Sequence, residues 1–374
     1  MLNALYNYII IFFILLFISR VLSQKYFKLN NKEFIVSLFY HFFLTLFFWF
    51  LFQNQPADYK QYLELKHIKE FNVAHSFATT EIVYNFIKIL KNILFFNDFN
   101  IILSFSLISY FGILIFLKNI VKLGVEKKIA FILFFLPGIH LWTSLPGKDC
   151  LILFFLSCFF YMYIDKKLFF SILFVIPVLL IRPQIGVLFL LSIGITEFFL
   201  IRGYKKIIIF ALSFFLFYLI LNSNFASGYL TSKSIFSDNL IFQMLGKISE
   251  LSLKYNQSDG AYEVNNVVLN IFNYLVFPID YIFKNNSLII NLTILLESLS
   301  LLLVISTIIN QRNNLISDKK LIYFLFTCSL IYLMILPQAL FNFGLNLRQK
   351  WMIIPFLIYL SFLLKNFIVK TNKM

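Results

Sequence analysis

Apolar runs separated by short loops rich in lysine and arginine recur along the whole chain, and the loops fall on alternate sides if each run crosses a bilayer once. About 20 consecutive apolar residues span a bilayer as a helix, and basic loops stay on the cytoplasmic side. Leu2–Leu22 reads as a retained first span, because it lacks a basic leader and a small-residue cleavage site. Phe34–Phe52 and Asn100–Leu117 read as the next two. Ile129–Ile164 is too long for one span and breaks at Leu145-Pro146-Gly147-Lys148-Asp149, giving spans four and five with that turn outside. Leu168–Ile201 is also too long. It breaks at Arg182-Pro183, because proline lacks an amide hydrogen and biases the residue before it away from helix geometry. Ile207–Leu221, Leu288–Ile309, Leu321–Leu336 and Trp351–Leu364 complete about eleven spans, and every inside loop carries at least two basic residues.

Between these spans the pattern changes. Residues 53–80 and 222–266 are polar and external, as is the 337–350 connection. Glu81–Phe96 has apolar residues at helical spacing with Lys88 and Lys91 on the other edge, which predicts a helix lying in the outer interface. Asn239–Tyr255 predicts another amphipathic helix, and Val267–Phe283, interrupted by Asn273, Pro278 and Asp280, either re-enters or lies in the interface. No equal-length repeat emerges, so the expected fold is all-α, one polytopic membrane domain over residues 1–374.

Composition narrows the function classes. At 60% hydrophobic with a net charge of +15, the chain cannot cover a soluble surface. Its basic residues are dispersed among loops, which fits anionic lipid headgroups and not nucleic acid. Cys150, Cys158 and Cys328 lie in or beside apolar runs without metal or redox spacing, so no metal site is expected, and no phosphate loop or dinucleotide fingerprint implies a cofactor.

The arginines are more telling. Arg20, Arg202 and Arg312 sit at inside loops, whereas Arg182 and Arg348 sit at the outer side in Pro- or Gly-containing turns. A guanidinium grips phosphate in a bidentate way that lysine does not, so these two residues, with Lys148 as a third cation, outline a site for a diphosphate at the outer leaflet. The alternative is three unrelated side chains contacting outer headgroups. Asp58, Glu81, Asp149, Asp259, Glu263 and His140 are candidate bases, Asp58 and Glu81 foremost. Asp149 could instead neutralise Lys148, and His140 could be an interface histidine satisfied by water. Tyr59, Tyr62 and Trp142 are placed to stack on sugar faces or to line the membrane boundary. Glu197 is expected to pair with the basic edge that begins at Arg202, and Glu297 is a lone acid inside a span.

Asp58-Tyr59 with Tyr62, Glu81 to Lys88, Pro137 to Trp142 with Lys148-Asp149, Ile181-Arg182-Pro183, and Asn342 to Pro355 with Arg348-Gln349-Lys350 together resemble the EpsG/Wzy-type polysaccharide polymerases. The resemblance implies a GT-C-like or Wzy-like helical bundle in a bacterial cytoplasmic membrane. It would join undecaprenyl-diphosphate-linked oligosaccharide units into a surface polysaccharide, with a chain-length regulator protein as a partner. By that analogy Arg182 and Arg348 hold the diphosphate, Asp58 and Glu81 line the glycan cavity, and Gln184, Asn342, Asn346 and Lys350 join the substrate-binding set. One departure stands: the 222–266 loop holds no arginine and is given no phosphate-gripping role. Two rival functions remain, a polyprenyl-linked sugar transferase or O-antigen ligase, and a lipid-linked oligosaccharide flippase.

Overall fold

The computed structural model describes residues 29–53, 58–64, 81–200 and 319–339, with isolated positions elsewhere. Within them every regular element is a helix. We number these α1 (Asn31–Leu51), α2 (Asp58–Glu64), α3 (Glu81–Asn92), α4 (Asp98–Lys122), α5 (Lys127–Phe134), α6 (Pro137–Thr143), α7 (Lys148–Ile164), α8 (Leu168–Ile181), α9 (Pro183–Leu200) and α10 (Lys319–Ala339). The contacts divide into two compact units, Met1–Pro183 and Gln184–Met374.

In the first unit, α4 is the central helix and the longest. It is capped by Asn97, whose side chain accepts the Asn100 amide at 2.9 Å. It ends at Gly124, whose φ of 101° is the left-handed conformation that lets Gly124 N donate to Val121 O and Val125 N to Ile120 O. The neighbours of α4 alternate in direction. Helix α1 runs antiparallel to it, with Ser37 beside Tyr110 and Trp49 beside Phe99. Helix α7 runs parallel to it, because Cys150 meets Phe105, Gly112 meets Phe154, and Asn119 donates to the Ser157 carbonyl at 2.8 Å. The chain returns to the start of α7 through α5 and α6, and α8 runs back along α7.

One end of this unit is tied by ion pairs between Lys127 and Glu33 at 2.8 Å and between Lys122 and Asp165 at 2.5 Å. These are residues of loops that the charge pattern assigns to a single side. Lys122 also lies 3.6 Å from the centre of the Tyr161 ring.

Among the described residues, α1 and α4 are long and apolar enough to cross a membrane, with mean hydropathy 2.0 and 2.1, and the pair α6–α7, bent by 114°, would make a third. Helices α8, α9 and α10 are apolar but have shorter apolar stretches. The breaks expected at 145–149 and at Arg182-Pro183 are present: α6 and α7 are separated by Ser144–Gly147, and α8 stops at Arg182.

Four details differ from the expectation. The stretch 53–80 contains the helix α2. The fourth span is itself broken, because Pro137 holds Leu136 at ψ 116° and α5 cannot run on into α6. Helix α10 continues through Pro337 to Ala339, beyond the expected end at Leu336. In the second unit Glu197 pairs with Lys320, from a different basic loop than the adjacent Arg202. The expected spans at Leu2–Leu22, Ile207–Leu221, Leu288–Ile309 and Trp351–Leu364 fall mostly or wholly outside the described residues, so the count of eleven is not reached here. Outside them also lie the 222–266 loop with Asp259 and Glu263, the segment 267–283, and Glu297.

Candidate functional site

Opposite the ion-paired end, segments far apart in sequence meet. Proline stops the chain from continuing as helix after Ile181, so Arg182 takes an extended conformation (φ −139°, ψ 88°) while its amide still donates to Val178 O at 2.8 Å. Its Nη2 donates to Asp149 Oδ1 at 2.6 Å, and both side chains are nearly buried, at 10% and 11% exposure. Asp149 stands in the first turn of α7, where the helix dipole favours a carboxylate. The partner of Asp149 described here is therefore Arg182, where the sequence suggested Lys148, its neighbour on the same turn. A guanidinium offers five N–H donors, and the Asp149 bond uses one.

The turn before α7 also receives α2. A Cβ placed on Gly147 would lie 4.0 Å from the Tyr62 ring. Tyr62 in turn packs on Tyr84 of α3, with ring centres 5.1 Å apart. Lys91 fastens the two short helices, donating to Leu63 O at 2.7 Å while pairing with Asp98 at 2.8 Å. Tyr59 is buried beside Tyr62, and burial pushes its phenol up from its ordinary range. Glu81 heads α3 and is half-buried, as are Lys148 and, on α6, Trp142.

The structure thus brings Tyr62, Tyr84, the Gly147-Lys148-Asp149 turn and Arg182 to one end of the first unit. Asp58 begins α2 and Gln184 lies in the first turn of α9, but their side chains are outside the described residues. Arg348, Asn342, Asn346 and Lys350 lie outside them altogether.

His140 sits elsewhere. It is fully buried in the middle of the bundle, with both ring nitrogens engaged by protein groups and none left for the water contact the sequence suggested. Its Nδ1 faces His41 Nδ1 at 2.6 Å, and its Nε2 meets the Phe134 carbonyl at 2.6 Å.

The two histidines belong to a buried polar seam between α1, α4 and α6. Ser37 bonds to Tyr110 Oη at 2.9 Å, His41 Nε2 meets the Ser106 carbonyl at 2.8 Å, Thr45 bonds to Ser106 Oγ at 2.8 Å, and Ser109 bonds to Thr143 at 2.7 Å. His41, Ser106 and Tyr110 are absent from the sequence-derived candidates. A signal was present: Ser37, His41 and Thr45 recur every four residues in an otherwise apolar helix and so share one face.

Comparison with protein-family models, curated proteins and solved structures found no match.

Proposed function

We propose that the protein is a membrane-embedded glycosyltransferase that polymerises lipid-linked oligosaccharide repeat units at the outer face of a bacterial cytoplasmic membrane. The observation that supports this reading is the meeting of Arg182, Asp149 and the Tyr62–Tyr84 pair at one end of the helices. An intramembrane arginine held in place by a carboxylate suits a site for an anion. The buried Tyr62–Tyr84 pair packs the turn that carries Asp149 and so helps to fix the site.

In this reading the donor is the growing chain on undecaprenyl diphosphate. A hydroxyl of the incoming unit attacks the anomeric carbon, the bond from that carbon to the diphosphate oxygen breaks, and the diphosphate departs with the electron pair. The hydroxyl proton passes to a carboxylate, with Asp58 and Glu81 as the candidates. Arg182, oriented by Asp149, offers its other N–H donors to the charge that develops on the leaving group, with Arg348 as the second cation. The arrangement rests on about eleven spans, and the alternating directions of α1, α4, α5–α6, α7 and α8 are consistent with that topology.

The test is Arg182→Lys and Arg348→Ala in a strain whose surface glycan is profiled on a gel. The expected result is loss of long chains at normal protein level, and full-length chains in both variants would overturn the diphosphate role. A flippase reading draws on the broken passage α5–α6 and the bent pair α6–α7, since transporters use discontinuous helices. Purified protein given lipid-linked repeat units without a gradient separates the two, because only a polymerase lengthens the glycan there.

A further inference from the structure

Three contacts join the imidazoles of the buried seam to each other and to the backbone. They are His41 Nε2 to the Ser106 carbonyl at 2.8 Å, His41 Nδ1 to His140 Nδ1 at 2.6 Å, and His140 Nε2 to the Phe134 carbonyl at 2.6 Å. Each has hydrogen-bond length, and each needs one proton, because a carbonyl oxygen only accepts and two bare ring nitrogens repel. Two neutral imidazoles bring two protons between them. Whichever tautomers are chosen for a neutral pair, one of the three contacts sets a lone pair against a lone pair.

We propose that the pair carries a third proton, held between the two Nδ1 atoms. The junction of α1, α4 and α6 is then a proton-binding site, a singly charged His41–H–His140 bridge inside the helical bundle. A metal ion does not fit the same geometry. Zinc–nitrogen bonds of about 2.0–2.1 Å in a tetrahedral site hold two nitrogens about 3.3 Å apart, well beyond the 2.6 Å found here.

Burying the charge is costly unless polar groups face it. The Ser106 and Phe134 carbonyls do so directly. Around them stand the rings of Tyr40, Phe134 and Tyr110, at 5.2 and 5.1 Å from the His140 ring and 5.7 Å from the His41 ring respectively.

The titratable groups facing the pair from each packed element are few. Helix α1 supplies Tyr40, whose hydroxyl donates to Phe135 O, and α4 supplies Tyr110, bonded to Ser37. Helix α7 supplies Cys150, whose thiol donates to the Phe105 carbonyl, and its neighbour Asp149 is paired with Arg182. The side chains of α5 and α6 at this point are Phe134 and His140 itself. Phenols and thiols are ordinarily neutral near pH 7, so among the described residues backbone dipoles and not a counter-ion hold the proton.

The proton fastens α1 to the rest of the unit, and its departure would leave the two nitrogens repelling. Unfolded, the two imidazoles bind a proton each in the ordinary range near pH 6.5 while the folded bridge holds one for the pair, so stability is lost as pH falls below that range.

The experiment uses the full chain in lipid bilayers with 15N in its four histidines. Solid-state NMR is recorded over roughly pH 5 to 9, the range in which imidazole ordinarily titrates. The expected result at the acid end is a scalar coupling between the Nδ1 nuclei of His41 and His140, with both Nε2 atoms protonated. Two uncoupled neutral rings throughout the range would overturn the proposal.

His41→Asn and His140→Asn assign the signals, each abolishing the coupling while His67 and His75 are unaffected. The inference makes no use of the Arg182 site, so each can fail without the other.

Discussion

The buried Arg182–Asp149 bond makes opposite demands on single and double substitutions. Removing Asp149 alone leaves a guanidinium in a nearly closed environment, and breaking such a pair costs about 3–5 kcal/mol. Asp149→Ala should therefore lower the melting temperature sharply in detergent. The double variant Asp149→Leu with Arg182→Met should recover most of the loss, because two apolar groups of similar volume leave no orphan charge. If the double variant is as unstable as the single ones, the two residues are not acting as a pair. The same comparison separates folding from chemistry, since the recovered double variant is still expected to make no long glycan.

Helix ends and helix contacts carry their own tests. Helix α7 ends with Lys166 in the left-handed conformation at φ 61°, and Lys167 N donates to Met162 O at 2.9 Å. That conformation costs a side chain about 1–2 kcal/mol, of which glycine's extra entropy offsets only part. Lys166→Gly should thus stabilise the protein by about 0.5–1 kcal/mol, read as a rise in melting temperature.

At the start of α1, Asn30 accepts the Glu33 amide at 2.7 Å and donates its own amide to Glu33 at 3.1 Å. Asn30→Ala should cost about 1 kcal/mol. Helices α4 and α7 approach closely at Gly112, where a Cβ would stand 3.1 Å from the Phe154 Cα. Small residues permit such backbone contacts, and Gly112→Val should loosen this one at a cost of about 1–3 kcal/mol. An unchanged unfolding curve for Gly112→Val would show that the contact is not tight.

At the scale of the whole molecule, the alternation of helix directions predicts which positions face which compartment. Phe95, 86% exposed and at the end bearing Asp149 and Arg182, is assigned outside, and Lys128, in the Lys122–Lys128 loop, is assigned inside. Phe95→Cys should react with a membrane-impermeant maleimide in intact cells, and Lys128→Cys only after permeabilisation. The native cysteines that lie in the described helices are buried and should give little background. Reaction of both in intact cells would break the proposed topology.

Hydropathy and charge determined by themselves that the described residues are helical and apolar, where the runs at 129–164 and 168–201 break, and that the residues around Glu33, Lys122, Lys127 and Asp165 share one end. Those properties follow from local features such as a proline's missing amide or the cost of moving lysine across lipid. Arg182, Asp149 and Lys148 were legible as candidates because charge beside a proline or a Pro-Gly turn stands out in so apolar a sequence, and Tyr62 because it is an aromatic in a polar outer stretch. Their partners were not. Asp149 is adjacent to Lys148 in the chain yet bonds to Arg182, and His41, absent from the sequence candidates, lies against His140 in the fold. Pairing across helices depends on the rotation and depth at which each helix packs, which hydropathy averages over and only tertiary contact decides.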